Sequence, residues 1–152
     1  MLPIRPEYDA LAGFPLVWRW TRSTHDLLTP EELALIRPLK ATTARDVWDH
    51  ALKTHQGARC GHQTLILGEE GPSEEHQVRH WLDKLPVAQR DPILLCWSAD
   101  IAVEATWALY VRRWSAFWYP ATDDLDVLPM TGAWALRISH SGRFEWTSSG
   151  AE

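Results

Sequence analysis

Cys60-Gly61-His62 and the pair His76 and His80 are the residues of this chain closest to a metal-ligand pattern. Zinc takes Cys and His ligands, and histidines four apart share one face of a helix. The Cys-x-His spacing is nevertheless a poor match to structural zinc sites. The two histidines also lie opposite the apolar stripe Val78, Trp81 and Leu82, which turns them toward solvent. Residue 77 is Gln, where the metalloprotease motif requires Glu between its histidines. The expectation is therefore two solvated histidines, with no metal and no cofactor.

Carboxylates form the next candidates. Asp123, Asp124 and Asp126 make a D-D-x-D cluster in a turn-rich stretch, and Asp100 and Glu104 make a second pair. Glu69 and Glu70, with Glu74 and Glu75 following, form another acidic patch. Glycoside hydrolysis needs two carboxylates held at a set separation. A calcium loop needs alternating oxygen ligands around a glycine. Neither pattern is completed, so these groups read as turn chemistry and as parts of an acidic binding face. The alternative is a tryptophan-lined ligand cleft in which Asp100, Glu104 or Asp123 acts as acid or base. Nucleophilic catalysis has no support: the chain lacks a G-x-S-x-G elbow, a P-loop and a G-x-G-x-x-G run, and Cys96 sits inside the apolar run Ile93–Trp97.

Ten tryptophans, at 18, 20, 48, 81, 97, 107, 114, 118, 134 and 146, are a large number for 152 residues. Aromatic side chains dominate core energetics, and most of these fall on faces expected to be buried. Ten indoles are hard to bury in one small domain, so Trp20, Trp114 and Trp118 are the expected exposed anchors for a partner.

The net charge of −5 bears on partner class. Nucleic-acid affinity comes mostly from Lys and Arg neutralising phosphates, so nucleic acid and anionic membrane surfaces are disfavoured and a basic protein partner is favoured. Two cysteines 36 residues apart suit a reducing compartment. No apolar run reaches the ~18 residues of a membrane span, and residues 1–6 lack a signal-peptide apolar region. The expected location is the cytoplasm. The absence of Asn and the ratio of 12 Arg to 3 Lys fit a GC-rich bacterial genome.

The elements that would position these residues can be read from periodicity. Leu16, Trp18 and Trp20 alternate, predicting a strand over 14–20. Thr29-Pro30-Glu31-Glu32 has the form of a capping box with Pro at the first helical position, and the helix it opens stops before Pro38. Thr42 or Thr43 caps a second helix with the stripe Ala44, Val47, Trp48, Ala51 and Leu52, ended by Gly57. A short strand covers 64–67, and a third helix runs from about Ser73 to Pro86. Ile93–Trp97 is the expected central strand, with Ile101, Val103 and Ala105 as its hairpin partner. Residues 107–118 have helical spacing. Strands 134–139 and 143–147 close the chain as a hairpin, with Gly142 free to take positive φ. Helices come first and strands cluster late. This predicts one domain over 1–152, with 148–152 as a flexible tail. Its fold class is α+β, a mostly antiparallel sheet with three to four helices packed on one face.

One further pattern runs through the C-terminal half: Cys96-Trp97-Ser98-x-Asp100, then Trp107 and Trp114-x-x-Phe117-x-Tyr119-Pro120-x-x-Asp123-Asp124, then Trp134-x-Leu136-x-Ile138-x-His140-x-Gly142-x-Phe144. Over residues 93–146 this resembles small uncharacterised bacterial proteins and, more loosely, the SMI1/KNR4-like immunity proteins. The resemblance implies an α+β fold and a role in binding and neutralising a toxin. It carries over no catalytic residue. The reading is a partner-binding protein, facing a basic toxin or effector through Asp123, Asp124, Asp126, Glu69, Glu70, Trp114, Trp118 and Trp20.

Overall fold

A computed structural model of the protein describes residues 7–25, 27–57, 60–67, 73–130 and 133–148. Among them, seven strands form one sheet: β1 (Arg37–Pro38), β2 (Cys60–Ile66), β3 (Pro92–Ser98), β4 (Ile101–Thr106), β5 (Leu125–Pro129), β6 (Trp134–Ile138) and β7 (Arg143–Ser148). Their spatial order is β1-β4-β3-β5-β6-β7-β2, and every neighbouring pair is antiparallel. Six helices accompany the sheet: α1 (Trp18–Thr21), α2 (Pro30–Leu33), α3 (Ala41–Gly57), α4 (Ser73–Asp83), α5 (Trp107–Arg112) and α6 (Trp114–Phe117). The α+β class and the antiparallel sheet agree with the sequence. The placement of the helices differs from it.

Helices cover both faces of the sheet, not one. Side chains alternate across a strand, so β3 sends Ile93 and Leu95 one way and Leu94 and Cys96 the other. The first set joins a core with Trp20 of α1, Val78 and Leu82 of α4, Trp107 and Leu109 of α5 and Phe117 of α6. The second joins Ala102, Leu128 and Ala135 against Ala44 and Val47 of α3. This explains why the central strand reads as a continuous apolar run: it is buried on both sides.

Several local predictions hold for stated reasons. Thr29 and Glu32 form the full capping box, with Glu32 N donating to Thr29 Oγ1 at 3.1 Å and Thr29 N to Glu32 Oε1 at 3.0 Å. Gly142 has φ 89° at the β6–β7 turn. A Cβ there would stand 3.3 Å from the Leu67 Cβ, so both the dihedral and the space favour glycine. Helix α3 starts at Ala41, ahead of the expected caps, and Thr43 Oγ1 accepts from Glu7 N instead.

Other segments depart from expectation. Residues 14–20 are not a strand: a 3₁₀ turn at Leu11–Gly13 and turns at 15–17 lead into α1. Arg19 and Trp20 are adjacent and both buried, which a strand with one exposed face does not allow. The segment 107–118 breaks at Arg113, whose backbone (φ −122°, ψ 28°) separates α5 from α6. Strand β5 has no counterpart in the sequence reading, although it is an interior strand between β3 and β6. Its five residues are all buried, so the alternation that would have marked it is absent. Ser148, expected to open a tail, is paired in β7 with Cys60 and Trp134. Residues 149–152 lie outside the described residues.

Candidate functional site

The three tryptophans expected on the surface are inside. Trp20 is fully buried, stacks on Phe14 and donates from Nε1 to the Ala116 carbonyl at 2.8 Å. Trp118 donates to the Asp123 carbonyl at 2.9 Å, and Trp114 to the Glu75 carbonyl at 3.3 Å. Trp114 and Trp118 stack on one another, and Phe144 lies edge-on to both. Each indole N–H thus has a carbonyl partner, as a buried indole requires. One sheet face under five short helices holds more indoles than the sequence suggested, and none of these three is a free anchor.

The D-D-x-D cluster is likewise divided. Asp123 is buried and takes Arg19 in a bidentate pair. Asp126 points to the α3 face of β5, buried beside Cys96, with Arg137 Nε at 3.9 Å. Only Asp124 reaches the surface, where it accepts from His140 N at 2.8 Å and lies 3.0 Å from His140 Nδ1. Burial works to raise the Asp124 pKa, but the His140 contacts outweigh it and hold the carboxyl below its ordinary value. The three aspartates therefore do not form one acidic face. Asp123 and Asp124 sit in the segment before β5, and only Asp126 lies in the strand itself. Glu69 and Glu70 lie outside the described residues.

The remaining candidates are also dispersed. His76 and His80 are exposed on α4. Cys60 and His62 lie in β2, and their side chains are outside the described set. Glu104 accepts from the Tyr8 hydroxyl at 2.5 Å and pairs with Arg37 at 3.7 Å. Burial, then the Glu104 contact, pushes the Tyr8 hydroxyl up to about 12. Asp100 lies apart in the β3–β4 turn, held by Ser98 Oγ at 3.1 Å. The expected Asp100–Glu104 acid–base pair is not assembled in one cleft.

Asp100 instead shares a groove with a different carboxylate, Asp9. A groove of about 410 Å³ is bounded by Asp9 and Asp100, with walls of Phe14, Pro15, Pro38 and Leu39. The segment carrying Asp9 is held by the Tyr8–Leu39 bridge and by Asp9 N donating to the Pro38 carbonyl at 2.9 Å. Leu39 N in turn donates to the Ala102 carbonyl at 2.9 Å, which ties the segment to the β3–β4 hairpin. Gly13 contributes open space, since a Cβ there would meet nothing within 4 Å. Asp9 and Asp100 are both exposed, and among the described residues no basic side chain lines the groove. Two carboxylates over apolar walls suit a lysine or arginine side chain, whose aliphatic stem packs while its head stays charged. Asp9 is missing from the sequence-derived candidates. No local pattern marks it, because its partner is 91 positions away. Neither a protein-family model, nor a curated protein, nor a solved structure matches the chain.

Proposed function

We propose that the protein binds a basic protein partner and seats one of its lysine or arginine side chains in the Asp9–Asp100 groove. The observation that carries this reading is the presence of two exposed carboxylates in one groove over an apolar floor that, among the described residues, holds no cation. The net charge of −5 supports it through long-range steering of a basic partner. The resemblance of residues 93–146 to immunity proteins narrows the partner to a toxin or effector that the protein neutralises. The groove then replaces the acidic and aromatic face drawn from sequence, whose members are buried, tied to His140 or outside the described residues.

The test uses the product of a toxin or effector gene adjacent to the one encoding this chain. Binding is measured by calorimetry with the wild-type protein, with Asp9→Lys and with Asp100→Lys. Both substitutions are at exposed positions, so folding should be unchanged. Each should weaken binding about tenfold or more, as expected when a charge-assisted contact worth ~1.5–3 kcal/mol is lost. Equal affinity of wild type and both variants would sink the groove. Failure of the wild type to bind or protect would sink the immunity reading.

A further inference from the structure

A second cavity, of about 290 Å³, lies where α4, α5 and α6 meet the segment before α2, and arginines dominate it. Arg79 comes from α4, Arg112 from the end of α5 and Arg113 from the break between α5 and α6, with Ser115 and Glu75 beside them. Among the described residues, three cations meet two carboxylates here, in a chain whose net charge is −5. A concentration of Arg against the overall charge calls for a local reason.

The carboxylates hold the arginines in place without using all their donors. Glu32 is buried under the cavity, taking Arg113 through Nε at 2.8 Å and Nη2 at 3.1 Å, and Arg112 through Nε at 3.2 Å. Glu75 accepts from Arg79 Nη2 at 3.1 Å, and the same nitrogen lies 3.3 Å from the Arg112 carbonyl. Among the described residues, both Nη groups of Arg112, Nη1 of Arg79 and the Ser115 hydroxyl have no hydrogen-bond partner. Arg79 Nε is buried and also without one. The Arg112 side chain is 56% exposed, so its free edge is reachable from solvent. Guanidinium planes already fixed by carboxylates lose less entropy on binding.

We infer that this cavity is a binding site for a small phosphate monoester. The oxyanion takes the free N–H groups of Arg112 and Arg79 and the Ser115 hydroxyl, and the organic part lies against Leu27 and Leu28. Planar guanidinium forks match phosphate oxygens in pairs. The site is one pocket rather than a track of cations, so it suits a single phosphate and not a nucleic-acid backbone. Leu27 is 56% exposed beside the cavity and gives the stem an apolar surface. This inference is independent of the basic-partner reading, because the groove at Asp9 and Asp100 is built by other elements.

The test is a titration of the ¹⁵N-labelled protein with inorganic phosphate and with glycerol 3-phosphate at constant ionic strength. The arginine Nε–Hε resonances are followed. Arg112 and Arg79 should shift and saturate, with glycerol 3-phosphate tighter than inorganic phosphate and acetate weaker than either. Arg112→Gln should weaken phosphate about tenfold, while Arg113 still holds Glu32. Ser115→Asp would put a carboxylate against the arginines and abolish the phosphate response. Shifts in the wild type that never saturate, or that equal those in chloride, would overturn the site whatever the variants do. So would an Arg112→Gln titration that matches the wild type.

Discussion

Arg19 and Asp123 lie 104 residues apart and close a buried bidentate pair, Nη1–Oδ2 at 2.5 Å and Nη2–Oδ1 at 3.1 Å. The pair is capped by Tyr119, whose ring lies 4.1 Å from the guanidinium carbon and whose N donates to Asp123 Oδ2 at 2.9 Å. It fixes α1 to the turn that feeds β5. Removing one partner leaves the other charge buried. Asp123→Ala should therefore cost ~3–5 kcal/mol in urea unfolding, whereas replacing both residues with apolar ones should cost much less. Equal losses for the single and double variants would show that the pair acts by shape alone.

Glu32 gives the protein an acid-sensitive contact. The Arg113 hydrogen bonds hold its carboxyl below the usual range, at about 2 against an ordinary 4.5, despite burial acting to raise it. A carboxyl depressed by folding contributes stability above its unfolded pKa and loses it as pH falls through the folded one. Unfolding midpoints should fall between about pH 4.5 and pH 2, and Glu32→Gln should flatten that part of the profile. An unchanged slope in the variant would assign the acid sensitivity to other groups.

Cys96 should be chemically silent in the folded protein. Burial first, and Asp126 second, push its thiol up to about 12, and its side chain is fully enclosed by β4, β5 and α3. The thiolate is the reactive form. In a Cys60→Ser background, a thiol reagent at pH 8 should label Cys96 only after denaturant is added. Labelling at the rate of a free cysteine in native buffer would contradict this burial.

The backbone supplies a reciprocal pair. Ala121 takes φ 66° in the turn before β5, and Gly142 takes φ 89° at the β6–β7 turn. Left-handed backbone costs a residue with a Cβ roughly 1–2 kcal/mol, and glycine returns part of that gain as unfolded-state entropy. Ala121→Gly should stabilise by up to ~1 kcal/mol. Gly142→Ala should destabilise by about 1–2 kcal/mol, with the Leu67 contact adding to the loss. Thermal denaturation of the two variants reads both signs.

The local sequence determined much of the framework. The Thr29–Glu32 capping box, the stripe of α3, the apolar β3 run and the Gly142 turn each arise from neighbours within a few positions, where periodicity and turn chemistry are decisive. The site residues depended on burial, which neighbours in sequence do not set. Asp123, Asp126, Trp20, Trp114 and Trp118 resemble surface groups until other parts of the fold enclose them: Arg19 for Asp123, the β3 and β6 neighbours for Asp126, and backbone carbonyls for the indoles, near in sequence only for Trp118. Asp9 and Asp100 in one groove, and Arg79 beside Arg112, are products of tertiary structure alone. In both cases the two residues lie far apart in the chain, and the packing that joins them leaves no periodic trace in the sequence.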